Sequence, residues 1–316
     1  MTIRNRRSFI IKGAMSTAAM IWFPGLKRFA KTLDASDKPR FKISLAQWSL
    51  HKALFSGELN HLDFAAKAAK DFDIYAVEYV NQFFKDKATD SQYLAEMNTR
   101  ANDAGVYQHL IMVDGEGGLA EPDVAKRKEA VENHYKWIDA AKTLGCRSVR
   151  VNAYGAGNDA LALHDAAVDG LGRLATYAKA AGINVIVENH GGLSSDGQWL
   201  KGVMKEIGMS NCGTLPDFGN FCIVNGDGSM GHNTCIKEYD RYKGVEEMLP
   251  YAKAVSAKSY DFDAAGSETK IDFGRMVQLI RKSGYKGYLG IEYEGSRLSE
   301  SEGIMATKKL LEHLIQ

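Results

Sequence analysis

From residue 41 onward the chain alternates short β-rich runs with longer segments of helical period, and it does so eight times. The β-rich runs fall at 41–50, 74–80, 106–113, 146–152, 183–188, 213–217, 254–259 and 287–292. Between and after them, helical spacing predicts helices over 61–70, 91–103 (capped by Asp90), 121–144, 160–181, 198–207, 239–251, 272–283 and 303–315. Four helices run straight into a glycine and then a strand, at Ala104-Gly105, Leu144-Gly145, Ala181-Gly182 and Ser283-Gly284. A crossover helix ends this way before a parallel strand. Eight such units match an α/β fold of the (β/α)8 TIM barrel type, a single domain over residues 39–316. The competing open, doubly wound sheet needs a glycine-rich phosphate loop after its first strand, and Ser49-Leu50-His51-Lys52 has none.

A chain of 316 residues with 45% hydrophobic residues buries a full core without staples, so any metal is there for chemistry. In a barrel the reactive groups stand at the carboxyl ends of the strands. Glu78, Asp114, Asn152, Glu188, Asp217, Lys258 and Glu292 each lie at or near the end of an apolar run. Ile186-Val187-Glu188, Leu215-Pro216-Asp217 and Gly290-Ile291-Glu292 repeat one arrangement, an apolar strand closing on a carboxylate that is costly to bury alone. Three carboxylates aimed into one cup repel unless a cation sits among them, and oxygen donors favour manganese or magnesium over a structural zinc site. The alternative is a salt-bridge network with Lys258, Arg150 or Arg241. His190, two residues beyond Glu188, is either a further ligand or acid/base, or a hydrogen-bonding loop residue. Glu78, Asp114 and Glu294 bind substrate hydroxyls or cap helices, and Trp48, Phe83 and Phe84 either stack on a sugar face or pack.

Charge divides the chain. Its 40 Lys and Arg nearly balance 39 Asp and Glu, but the first 33 residues hold seven bases and no acid, which leaves the remainder at −6. An acidic domain has no electrostatic grip on a nucleic-acid backbone. Asn5-Arg6-Arg7-Ser8-Phe9 followed by an apolar stretch too short for a membrane span resembles a twin-arginine signal. Residues 1–38 are therefore expected to be a signal and linker, and the mature protein periplasmic with no membrane span. Cys146, Cys212, Cys222 and Cys235 match no zinc spacing, and an oxidising compartment permits a disulfide among the last three.

Glu188-Asn189-His190, Asp217-Phe218-Gly219-Asn220, the strand around Lys258 and Gly290-Ile291-Glu292-Tyr293-Glu294-Gly295 together resemble the sugar phosphate isomerase/epimerase family of xylose isomerase-like TIM barrels. The similarity runs in order from Ile43 to the C-terminus. The resemblance implies one divalent cation, manganese first with magnesium, cobalt or zinc as alternatives, held by Glu188, Asp217 and Glu292. It implies Glu188 and Glu292 as acid/base partners, His190 and Lys258 as further catalytic groups, and substrate contacts from Glu78, Asn152, Asn220, Arg241 and Glu294. One position departs from the family pattern: Ser256 stands where a histidine ligand is expected, and a hydroxyl is the weaker ligand.

The chemistry so implied is removal of a proton next to a carbonyl on a non-phosphorylated, small-molecule carbohydrate. Its outcomes are isomerisation or epimerisation, or β-elimination from a 3-keto-glycoside. A non-catalytic periplasmic sugar-binding protein is the alternative outside enzymology. The DNA-repair endonucleases that share the barrel use a histidine-rich zinc cluster, which eight histidines mostly away from strand ends do not supply.

Overall fold

The computed structural model describes residues 41–226 and 235–316. The expected signal and linker, residues 1–38, lie outside the described residues. Eight parallel strands form the sheet: β1 (Lys42–Ala46), β2 (Ala76–Val80), β3 (Tyr107–Met112), β4 (Ser148–Val151), β5 (Asn184–Glu188), β6 (Cys212–Leu215), β9 (Val255–Ser259) and β10 (Tyr288–Tyr293). The remaining two, β7 (Cys222–Asn225) and β8 (Cys235–Glu238), form an antiparallel hairpin of their own. The sheet runs β6-β5-β4-β3-β2-β1-β10-β9 and curls on itself. Parallel bridges Thr214↔Ala252 and Asp217↔Ser256 join its two edges, so the barrel closes beside Asp217.

Helices α1 (His51–Phe55), α2 (Phe64–Phe72), α3 (Ser91–Asp103), α4 (Val124–Thr143), α5 (Ala160–Ala181), α6 (Gly197–Ile207), α7 (Arg241–Met248), α8 (Phe273–Ser283) and α9 (Glu300–Ile315) surround the sheet. Aspartates start six of them. Asp90, Asp123, Asp159, Asp196, Asp240 and Asp272 each accept a hydrogen bond from a first-turn N–H that would otherwise lack a partner. Gly182 (φ 74°) and Gly284 (φ 79°) end α5 and α8 in the left-handed region, as the helix-glycine-strand pattern predicts.

Two stretches differ from the sequence expectation. The run 41–50 leaves the strand at Ala46 and winds into a 3-10 turn, Gln47–Leu50. Ser49 fixes the change, donating from its hydroxyl to the Ile291 carbonyl and accepting from the Tyr293 N–H, so this backbone is tied across to β10. The second is the β7–β8 hairpin, which stands where a loop is expected and is crosslinked by a Cys222–Cys235 disulfide; Cys146 and Cys212 are buried and free.

Side chains pack in two layers. Outside the sheet, a large core centred on residues such as Trp137, Phe64 and Leu171 fills the space under the helices. Inside, Ala46, Val80, Leu110, Met112, Ile186, Leu215 and Ala254 form a smaller cluster. Residues paired across parallel strands face the same way. The register therefore puts Ser44, Gly290 and Ser256 in one interior row, with Glu292 and Lys258 in the next row toward the strand ends. Glu78 is paired with Ala46, in the upper row, but its carboxyl, in a side chain 1% exposed, turns down to the lower one and accepts a 2.6 Å bond from the Ser44 hydroxyl.

Gly290 makes room for that carboxyl: a Cβ there would meet the Glu78 oxygens at 2.6 and 2.7 Å. A flexible side-chain end usually moves aside, but this one is held by Ser44 and enclosed. Gly290→Ala is expected to cost about 1–3 kcal/mol in urea unfolding, and much less in a Glu78→Ala background. An equal cost in both backgrounds would show that the contact is not the cause.

Candidate active site

Glu188 is the last residue of β5, Asp217 follows β6 by two residues and Glu292 is the last but one of β10; their facing oxygens lie within 4.8 Å of one another, all buried. Backbone geometry gathers them. Asp217 sits where the barrel closes, its N–H donating to Asn189 Oδ1 at 2.7 Å while its own Oδ1 accepts the Gly219 and Asn220 N–H groups. Asn220 is fully engaged. It donates from Nδ2 to Glu188 Oε1 (2.9 Å), accepts from Lys258 Nζ at Oδ1 (3.1 Å), and gives its carbonyl to Asn189 and Ser195.

Among the described residues, two cations enter this acidic cluster. Lys258 Nζ stands 3.3 Å from Glu292, 3.2 Å from Glu294 and 4.0 Å from Asp217. Arg150 bonds Asp114 at 2.6 Å and brings its Nε to 2.8 Å from Glu188 Oε2. That N–H is not aimed at the oxygen, so Glu188 Oε2 is buried with a charge contact and no hydrogen bond. Ser256 Oγ lies 2.5 Å from Asp217 Oδ2 and 3.0 Å from Glu292 Oε2. A hydroxyl has a single proton, so it donates to only one of them in full, and the shorter contact is to Asp217.

Burial dominates the electrostatics. It pushes Glu188, Asp217 and Glu292 above the ordinary carboxylate range, against the pull of Arg150 on the first and of Lys258 on the other two. Burial also opposes ionisation of Asp114, but there Arg150 wins and holds the carboxyl well below its usual value. Lys258 stays charged: burial works against it, and Asp217, Glu292 and Glu294 overcome that. Burial, seconded by Arg150, lowers His190 to about 3, which leaves a neutral imidazole.

The residues fit a divalent cation. Three carboxylate oxygens converge, Glu188 Oε2 has no hydrogen bond, and among the described residues the four carboxylates Asp114, Glu188, Asp217 and Glu292 face two cations, Arg150 and Lys258, an excess of negative charge that a dication would complement.

Above the cluster opens a cavity of about 290 Å³. Glu292, Glu294, Asn152, His190, Asp114 and Arg150 are on its wall, with Trp48, Gln82 and Tyr154. Other expected site residues stand elsewhere. Glu188 is 1% exposed and lies behind Arg150, which lines the cavity in its place. Lys258, 1% exposed, sits behind Glu292 and Glu294, and Asn220 is wholly buried with every polar group used, so both position neighbours and do not touch the cavity. Glu78 turns its carboxyl down to Ser44 and does not line the cavity, so it does not meet a substrate hydroxyl. Arg241 is directed away, bonded to Glu238 at 2.6 Å and to the Lys270 carbonyl, because α7 begins beyond the hairpin. Phe84 packs outside the barrel against His61 and Trp137, whereas Trp48 and Phe83 stand together near the cavity.

Arg150 is the wall residue that sequence reasoning assigned only to a salt-bridge alternative. Its signal was present: Ser148-Val149-Arg150-Val151-Asn152 alternates, so Arg150 shares a face with Asn152.

A sequence profile of xylose isomerase-like TIM barrels matches residues 66–316. A D-psicose 3-epimerase of Clostridium cellulolyticum H10, crystallised with D-tagatose, superposes with a TM-score of 0.67 at 12% identity over 87% of this chain and 100% of that one. A xylose isomerase-like TIM barrel protein of Mycobacterium smegmatis in complex with magnesium gives 0.59 at 17% identity over 87% and 96%. At such identities the likeness is one of fold. The alpha subunit of a C-glycoside deglycosidase of Arthrobacter globiformis is 41% identical over 66 residues, a match that spans 20% of this chain and 19% of that protein.

Glu78 supplies a pH test. Burial raises its carboxyl from the ordinary 4.5 to about 8, so the folded chain keeps a proton that the unfolded chain has lost. The stability this contributes is full below the ordinary value and declines as pH rises toward 8, by up to about 1.4 kcal/mol per pH unit. Urea midpoints measured between about pH 5 and about pH 8 should show that decline in the wild type and a flatter profile in Glu78→Gln. Parallel profiles would refute the assignment.

Proposed function

Because the chain belongs to the xylose isomerase-like TIM barrel family, we propose that it is a carbohydrate-enolising enzyme that removes a proton from the carbon next to a carbonyl. The observation that carries this reading is Glu292: it lies on the cavity wall, buried enough to hold a raised pKa, with the rest of the acidic cluster beneath it. A base of that kind is strong enough to take a carbon-bound proton once the adjacent carbonyl is polarised, and it returns the proton readily. A divalent cation held by Glu188, Asp217 and Glu292, manganese or magnesium by donor chemistry, would supply that polarisation as a Lewis acid.

The chain's own residues do the rest. Lys258, 3.2 Å from Glu294, keeps Glu292 ionised from behind at 3.3 Å. Arg150 does the same for Asp114, and its charge on the wall favours an oxygen that becomes negative as the proton leaves. Neutral His190 and Asn152 offer hydrogen bonds to substrate hydroxyls across the cavity from Glu292. Return of the proton to the same carbon from the other face inverts it. Return to the neighbouring carbon moves the carbonyl.

A second reading has its own support. Trp48, Phe83 and Phe55 form an aromatic group near the cavity, with ring centroids 5.0 to 6.2 Å apart, and Phe55 is 60% exposed. A free monosaccharide filling about 290 Å³ leaves that surface uncovered, whereas the second ring of a glycoside would stack on it. The same carbanion then expels the group β to the carbonyl, an elimination from a 3-keto-glycoside, and the partial likeness to a C-glycoside deglycosidase subunit points the same way. The proposed location is periplasmic, by the twin-arginine route; the Cys222–Cys235 disulfide supports an oxidising compartment.

Incubation in deuterated water, with manganese or magnesium added, should either place deuterium on the carbon next to the carbonyl of a ketohexose, or release the aglycone of a 3-keto-glycoside with loss of that carbon's proton to solvent. Glu292→Gln should lower that turnover roughly 10²- to 10⁴-fold. Neither exchange nor release, with sugar binding that survives both Glu188→Gln and Glu292→Gln, would make the protein a binding protein and end the enzymatic reading.

Phe55→Ala separates the two outcomes. It should raise KM for 3-keto-glycosides by about three- to tenfold and leave ketohexose kinetics unchanged if the glycoside is the substrate. An equal effect on both classes would count against the stacking role.

A further inference from the structure

The opposite mouth of the barrel is built from strand starts, and it holds a second cavity of about 570 Å³. Lys42 opens β1, Arg147 precedes β4, Lys253 precedes β9 and Lys286 precedes β10, so the closure of the sheet brings four cations around one opening. No carboxylate lines it. Among the described residues none of the four is held in an ion pair; Lys42 lies 5.5 Å above the Tyr288 ring.

Exposed lysines on their own would be solvated charges and nothing more. His109, in the wall of this cavity, is different. It is 4% exposed, and neither ring nitrogen has a hydrogen bond. A neutral imidazole always has one N–H to donate, and leaving it buried without an acceptor costs stability. Tyr288 packs on the ring at 4.5 Å and Tyr107 at 5.8 Å, which fixes its orientation. Ser148, also on the wall, accepts from Asn184 Nδ2 at 3.3 Å and keeps its own O–H free to donate. The wall therefore presents cations and donors, and among the described residues no carboxylate.

We propose that this mouth is a binding site for a dianionic tetrahedral oxyanion: free sulfate or phosphate, or a phosphate monoester. Two negative charges answer four cations better than a single carboxylate does. The oxygens supply the acceptors that His109 and Ser148 lack, and the volume beyond the anion, floored by Tyr107 and Tyr288, accommodates the alcohol part of an ester. The site is separate from the acidic cavity, so the proposal stands whether or not the enolisation reading holds.

The test uses the full chain, titrated with sodium sulfate and with glucose 6-phosphate at constant ionic strength, with glucose as the uncharged control. The His109 ring resonances should shift saturably with both anions and not with glucose. Tighter binding of glucose 6-phosphate than of sulfate identifies a monoester as the occupant, and equal binding identifies the free ion. Either supports the site. Arg147→Ser combined with Lys253→Ser, two changes at the rim that spare the core, should weaken sulfate roughly tenfold, and His109→Phe should weaken it further. No saturable shift of His109 with either anion, or an affinity unchanged in the rim double variant, means an adventitious ion only and overturns the proposal.

Discussion

The interior of the barrel contains more carboxylates than it can leave charged and unpaired, and the arrangement around them follows from that constraint. Arg150 and Lys258 come from strands flanking the acids and are themselves almost fully buried. Each cation is costly to desolvate alone, as is each acid, so none of these residues is stable in place without the others. This interdependence explains why Asn220 is locked among Glu188, Lys258 and Asp217, and why a single hydroxyl, Ser256, is shared between two acids. The result is a carboxylate poised by its surroundings. Glu292 faces the cavity while Lys258 and Asp217, buried behind it, set its charge.

The barrel separates charge along its axis. The ends of the strands carry the acids and a cavity of about 290 Å³, and the beginnings of the strands carry a ring of bases and one of about 570 Å³. Between them the small interior cluster, from Ala46 to Ala254, fills the barrel with apolar side chains. Glu78 interrupts that filling beneath the acids, and Gly290 gives up its side chain to admit it.

Much of this was legible in the sequence, because both the fold and the acid set repeat. Eight apolar runs, four of them preceded by a helix and a glycine, fix the barrel, and the helix boundaries at Ser91, Asp103, Ala160 and Ala181 are as the capping residues indicate. Glu188, Asp217 and Glu292 were found because strands that end alike point alike. What failed to show was depth. Alternation tells which face a side chain takes and not which row of the interior it reaches, so Glu78 read as a wall residue and Arg150 as a mere counter-ion. Arg241 failed for another reason: the β7–β8 hairpin, with short strands of four residues each, inserts between Asp217 and α7 and carries that helix start away from the cavity.

Every polar group of Asn220 already has a protein partner, and Asp217, Glu188 and Lys258 are tied together through it. The acids consequently inherit their positions from the backbone of the barrel and owe little to the loops that rim the cavity. Aromatic residues such as Phe55 and Tyr154 stand on those loops and short helices, exposed and lightly constrained. On the enzymatic reading proposed above, exchange of rim residues over evolutionary time retunes which molecule is accepted and leaves the buried acids undisturbed, so that preference and reactivity become separate traits in this scaffold.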